Sequence, residues 1–198
     1  MKYRWKLHQQ LALFEKYFRL DEYHVSHELF EGGESPIFTR EIFERGVVVA
    51  VLPYDLRRRK VVLIEQFRAG AIDNDEGPWL IECVAGVIED GESQAQVAER
   101  ECVEEAGCEV ERLIPMHHYY VSPGGTTEHC SLFCGLVDSD GVGGVHGLPH
   151  ENEDIRVMVV DADEAYEWLA EGRIRSSATL IALQWLQINE SRLLEGLA

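Results

Sequence analysis

The sequence predicts an α+β fold: an α/β sandwich on a mixed sheet, preceded by a subdomain of antiparallel strands. Three observations predict it. β-branched runs of strand length fill the middle of the chain, helical periodicity takes over at 94–106 and again near the C-terminus, and strands and helices come at intervals without strict βαβ alternation. The last point argues against a doubly wound parallel sheet. The strand subdomain is assigned to residues 1–45 and the larger domain to 46–198.

The elements follow in order. Tyr23-His24-Val25-Ser26-His27-Glu28-Leu29-Phe30 alternates polar and apolar residues, and Gly32-Gly33 with Pro36 breaks the run as a hairpin would. Residues 46–52 form a β-branched run ending at Pro53. The Asp55-to-Lys60 turn leads to a second run, 61–67, and the two read as a buried antiparallel pair. Residues 79–84 read as one further strand. The period then changes: Ser93 and Gln96 form a capping-box pattern, Ala95, Ala98, Cys102 and Ala106 make a helical stripe, and Gly107 is suited to a left-handed terminus. Strands are expected at roughly 109–120, 129–137 and 154–160. They are separated by the Ser122-Pro123-Gly124-Gly125-Thr126 turn and a glycine-rich loop from Asp138 to Gly147. Helices close the chain at 163–171 and from Ser177 to about Leu194.

With 198 residues and 45% hydrophobic content, the chain can bury a core without staples. It carries 36 Asp and Glu against 18 Lys and Arg, a formal charge of −18. Such a surface repels polyphosphate backbones and anionic membranes, so neither a nucleic acid nor a membrane is expected as partner. The five cysteines lie in apolar runs with no CxxC pair and read as small hydrophobes. No signal-peptide core and no run of about 20 apolar residues is visible, so the expected location is the cytoplasm.

Glu101, Glu104 and Glu105 stand at i, i+3 and i+4, on an arc of about 100°. Each like-charge pair at this spacing costs roughly 0.2–0.5 kcal/mol. Arg100 is the basic residue nearby, expected to reach Glu104 at best. A divalent cation would relieve the repulsion, and oxygen-only ligands suit Mg²⁺, with Mn²⁺ as substitute. A solvated acidic face is the competing reading. Arg40, Arg45 and Arg68 are candidate phosphate clamps, because a guanidinium fork matches phosphate oxygens. Surface ion pairs with Glu41 or Glu44 compete with that role. The histidines show no ligand spacing and read as ordinary surface or core residues.

Around that helix stand Gly86, five residues, Glu92, seven residues, Arg100-Glu101-Cys102, one residue, Glu104-Glu105, one residue and Gly107-Cys108. This resembles the Nudix box of hydrolases acting on nucleoside diphosphates linked to another moiety, with Cys102 and Cys108 at aliphatic positions. Phe38-Thr39-Arg40-Glu41, Glu65-Gln66-Phe67-Arg68, Ser122-Pro123-Gly124-Gly125-Thr126 and the run from Glu151 to Val157 are similar to the bacterial ADP-ribose pyrophosphatases.

The resemblance implies an α/β/α sandwich and a homodimer whose N-terminal strands help build the adenine pocket. It implies a small nucleoside diphosphate as substrate, cleaved with Mg²⁺ to AMP and ribose 5-phosphate. It assigns catalysis to Glu151, with Arg100 and Glu104, and metal binding to Ala85 (through its carbonyl), Glu101, Glu105 and Glu153. Substrate contacts fall to Arg40, Glu41, Arg45, Arg68, Tyr17, Phe18, Val87 and Ser122, with Tyr17-Phe18 stacking on adenine. Whether Glu151 or Glu153 is the base stays open. A relative acting on GDP-mannose and a non-catalytic nucleotide sensor are the alternatives.

Overall fold

The computed structural model describes residues 2–196, which fall into two compact units. The first runs to Val47 and also takes in Tyr120–His129; the second comprises Val48–Tyr119 and the chain from Cys130 onward.

In the first unit, β1 (Trp5–Glu15), β2 (Arg19–His27) and β3 (Phe38–Glu44) form an antiparallel sheet in that order. The strands run 11, 9 and 7 residues. β1 is an edge strand, and all 11 of its residues are exposed. Gly32 and Gly33, at φ 91° and 86°, make the turn after β2, where the Leu29 N–H donates to the Gly33 carbonyl. The Ser122–Thr126 turn joins this unit through backbone bonds: Phe43 N–H donates to Gly125 O, and Thr127 N–H to Phe43 O.

The second unit is built on β4 (Val47–Asp55), β5 (Lys60–Phe67), β6 (Trp79–Glu82), β7 (Val84–Val87), β8 (Arg112–Tyr120), β9 (His129–Leu136), β10 (Gly144–His146) and β11 (Ile155–Asp161). The sheet runs β10-β11-β5-β4-β9-β8, with β6 added to β5 and β7 to β4. Its helices are α1 (Gln94–Ala106), α2 (Ala162–Ala170) and α3 (Ser177–Glu195). Strand alternation sorts the core into two layers. Val62, Ile64 and Ile155 pack under α1 with Val97, Ala98 and Cys102. Val61 and Leu63 pack on the other face with Ala165, Trp168, Ala182, Leu183 and Leu186 of α2 and α3. A side chain such as Val97 or Leu183, fully buried here, contributes about 1.5–3 kcal/mol. This is the expected α+β sandwich.

Local chemistry explains the boundaries. Asp55 ends β4 by accepting the Arg57 and Arg58 N–H groups, both at 3.0 Å, and Arg59 completes the turn at φ 53°. Ser93 and Gln96 close a reciprocal capping box on α1, and Gly107 sits at φ 62°.

Three expectations need correction. The strand read over 79–84 is two strands. Cys83 N–H leaves the ladder and donates to Thr179 Oγ1 of α3 at 2.8 Å, so pairing passes from β5 to β4. The buried stripe of α1 holds Val97, Ala98, Cys102, Glu105 and Ala106, while Ala95 is exposed. Within the glycine-rich loop, Gly144–His146 is strand β10, paired with β11. All five cysteines are free and buried. Among the described residues no helix is long and apolar enough to cross a membrane.

Candidate active site

The acidic face of α1 is not uniformly solvated. Glu105 is only 3% exposed, although a carboxylate resists leaving water. Its Oε2 accepts the Ala85 N–H of β7 at 3.0 Å, and among the described residues no cation lies within ion-pair distance of it. Burial pushes its pKa up to about 8; the Ala85 hydrogen bond and the Arg68 charge oppose the rise, while Glu101 and Glu153 add to it. Glu101 is pushed up to about 7, again mainly by burial, with Arg100 pulling it back. Its carboxylate lies over Gly86, where a Cβ would come within 1.7 Å of Oε1. That glycine is therefore dictated by space.

Arg100 reaches further than its spacing from Glu104 implied. Nε and Nη2 donate to the two oxygens of Glu92 at 2.9 and 3.0 Å; Nη1 donates to Glu101 at 2.7 Å and Glu104 at 3.0 Å. The fork thus straps the loop between β7 and Ser93 to the helix and keeps the Glu92 carboxyl below its ordinary range.

Glu153 arrives from the far end of the chain. Its Oε2 accepts the Leu148 N–H at 3.0 Å, and Gly147, at φ 98°, leaves room for its Cβ. Gly147 N–H donates to the Glu104 carbonyl at 3.1 Å, which ties this loop to α1. The His146 ring fills the space above Gly107, where a Cβ would meet it at 2.3 Å, and its Nε2 bonds the Gly143 carbonyl at 3.0 Å. Sequence reasoning passed over His146, since it tested histidines only for ligand spacing. Glu151 lies on a 3-10 turn, Pro149–Glu151, exposed, with its carboxylate 3.6 Å from His150 Nε2.

Glu153 thus raises the proton affinity of both Glu101 and Glu105, and Glu101 adds to that of Glu105. Among the described residues no three His, Cys, Asp or Glu side chains converge into a ready-made cage, and Glu101 is engaged by Arg100. The donor set nonetheless fits a hard divalent cation: oxygen ligands only, with one carboxylate buried and lacking a cationic partner.

Arg68 donates to Glu82 at 2.7 Å, and Val87 stands half exposed at the end of β7. Both belong to the second unit. Tyr17, Phe18, Arg40, Glu41, Arg45 and Ser122 belong to the first. There Tyr17 is 91% exposed in the β1–β2 turn and meets Phe18 edge-on at 4.8 Å. The Arg45 guanidinium stacks 4.7 Å over Phe18 and donates to Glu128 at 2.8 Å, whereas Arg40 lies 4.5 Å over Phe38 and donates to the Thr39 carbonyl. Arg45 thus pairs with Glu128 and Arg68 with Glu82, rather than with Glu41 or Glu44. Glu41 is exposed on β3 opposite Glu22, and the Ser122 carbonyl accepts the Gly125 and Thr126 N–H groups.

The family model of the NUDIX domain matches residues 44–183. The chain belongs to the Nudix family. This Nudix protein is 51% identical over 182 residues to an ADP-ribose pyrophosphatase of Escherichia coli (strain K12), covering 92% of this chain and 87% of that relative. It is 45% identical over 185 residues to an ADP-ribose pyrophosphatase of Haemophilus influenzae, covering 92% and 85%. A GDP-mannose pyrophosphatase of Shigella flexneri serotype 5b is 32% identical over 187 residues, covering 91% and 97%. Within this Nudix domain, α1 and the loop before it are the box, and the contacts of Gly86, Arg100 and Gly107 give its spacing a physical reason.

Proposed function

We propose that this Nudix enzyme is a cytoplasmic homodimer that hydrolyses ADP-ribose to AMP and ribose 5-phosphate with Mg²⁺. The observation that carries the chemistry is Glu105: a carboxylate buried beside Glu101 and Glu153 with a backbone N–H as its hydrogen-bond donor. Support for the substrate comes from the relatives, with 51% and 45% identity to ADP-ribose pyrophosphatases against 32% to a GDP-mannose pyrophosphatase.

Glu101, Glu105, Glu153 and the Ala85 carbonyl are the groups that would hold Mg²⁺, and Mn²⁺ would fit the same oxygens. When bound, the ion supplies Lewis-acid charge to the phosphoryl oxygens. Arg100, fixed to Glu92 and Glu104, orients the Glu101 carboxylate without touching substrate. Arg68, near enough to lower the proton affinity of Glu105, offers its guanidinium to the diphosphate. Glu151, on its exposed turn, takes the proton of the attacking water. The water oxygen bonds to phosphorus, the bridging P–O bond breaks, and the leaving phosphate departs with its electron pair. On the first unit, Tyr17, Phe18 and Arg45 form an aromatic and cationic surface suited to a nucleoside, with Arg40, Glu41 and Ser122 on the same unit. Val87, half exposed at the end of β7, completes the substrate contacts. The fully exposed edge strand β1, with Trp5, Leu7, Leu11 and Leu13 uncovered, supports the homodimer.

A panel of nucleoside diphosphate sugars, each assayed with Mg²⁺ for AMP or GMP release, tests the reading. ADP-ribose is expected to give the highest kcat/KM; a preference for GDP-mannose would overturn the substrate, and inactivity with every nucleotide would overturn the enzyme. Sedimentation at micromolar concentration should give twice the mass of the 22.5 kDa chain.

A further inference from the structure

Gln66 is a polar side chain on the α1 face of the sheet that no step above uses. Gln66 lies on β5 opposite Leu80 of β6 and is 6% exposed. Alternation along the strand places it on the face of Val62 and Ile64, which pack under α1. Because Arg156 pairs with Glu65, the next residue of β11 toward the loop, Ile155, stands opposite Gln66; it is fully buried on the same face. Glu65 and Arg156 point to the other side, joined at 2.5 Å.

Among the described residues, the Gln66 Nε2 has no hydrogen-bond partner. A buried amide donor left unpartnered destabilises a fold, and such groups are rare unless a ligand or water completes them. The surroundings indicate which ligand. Arg68 follows two residues on, within electrostatic reach of Glu105, and Glu153 precedes Ile155 by two. The orphan N–H therefore belongs to the end of β5, two residues before Arg68 and across from the start of β11, to which the Glu153 loop leads. A neutral amide there adds a donor for an anionic oxygen without adding a further charge to the carboxylates.

We infer that Gln66 is a substrate-binding residue whose Nε2–H donates to a phosphoryl oxygen of the bound diphosphate, next to Arg68. The inference rests on the diphosphate-hydrolase reading above. Gln66→Met tests it, since it removes the amide at nearly equal volume. Calorimetric titration with an ADP-ribose analogue whose bridging oxygen is a methylene, in Mg²⁺, should show affinity about 10- to 100-fold weaker than wild type, with KM raised by a similar factor. The thermal midpoint should stay level or rise, because the orphaned donor is gone. Gln66→His, which returns an N–H at similar reach, should recover part of the affinity.

Unchanged affinity in Gln66→Met would overturn the assignment, as would a lower midpoint with affinity intact or unfolding of both variants. If wild type binds a guanosine diphosphate sugar and not the analogue, the ADP-ribose reading falls. The same pair of variants titrated with that nucleotide then decides Gln66.

Discussion

Glu105 and Glu190 are both buried helix carboxylates in the same compact unit, 3% and 8% exposed, and their surroundings are opposite. Glu190 of α3 accepts Tyr54 Oη at 2.6 Å, Arg59 Nε at 3.0 Å and Arg59 Nη2 at 2.9 Å. The same guanidinium also holds Asp163. Burial alone would raise the pKa of Glu190, but Arg59 and Tyr54 outweigh it and hold the carboxyl below its ordinary value. Glu105 is left with one backbone donor and neighbouring carboxylates, and its pKa rises to about 8. A carboxylate buried to join elements is fully satisfied by its own chain, whereas one buried at the site keeps its capacity for a cation.

Exchange at each position should separate the two roles. Glu105→Gln is expected to lower kcat by roughly 10²–10³-fold, from the loss of electrostatic stabilisation at the reacting phosphate. Its melting temperature in chelator should equal or exceed wild type; a collapse of the fold would assign Glu105 to structure. Glu190→Gln should show the reverse pattern, with lower stability and turnover within about twofold, as expected for a group distant from chemistry.

The pH dependence of the metal-free protein should have opposite signs for the two groups. Glu105 has a folded pKa above the ordinary 4.5, so the folded state holds the proton more tightly. Stability from this group is full at low pH and falls as pH rises from about 4.5 toward about 8. Glu190, and Asp55 with its Ser139 and Arg58 hydrogen bonds, have depressed values, so their contribution is present above the ordinary range and lost as pH falls. Thermal melts in chelator should therefore peak at mildly acidic pH. Glu105→Gln should flatten the alkaline decline, and Mg²⁺ should reverse it in wild type. A midpoint independent of pH between about 5 and about 8 in wild type would contradict the burial argument.

Smaller effects follow from geometry. Arg59→Ala leaves the Glu190 carboxylate without its cation and should cost about 1–3 kcal/mol in urea unfolding, a figure reduced because the arginine is itself partly exposed. Gly107→Ala meets both a left-handed φ of 62° and the His146 ring, and should cost about 1–2 kcal/mol. If Gly107→Ala loses stability while His146→Ala in the same background restores it, the ring contact rather than the backbone carries the penalty.

Much of this arrangement was legible in the chain. The capping box of Ser93 and Gln96 and the left-handed Gly107 are set by contacts within a few residues, so α1 could be bounded from sequence. The Asp55 turn between β4 and β5 was equally local. Other features were hidden because their causes are remote. The break at Cys83 depends on a hydroxyl of Thr179, and the Ser122–Thr126 turn belongs with β3 through bonds to Phe43. Gln66 was open to detection as the polar member of the Val62, Ile64, Gln66 alternation, but its orphaned nitrogen was not.

Local order and periodicity settled that three glutamates share one arc of a capped helix, since those properties extend only from i to i+4. Which of the three would lose its water was decided by packing. Glu105 is buried under Ala85 and sensed by Arg68 and Glu153, and Glu101 is folded over Gly86; these partners come from separate strands and a distant loop. Desolvation depends on everything that surrounds a group, and only the folded chain brings that surrounding together.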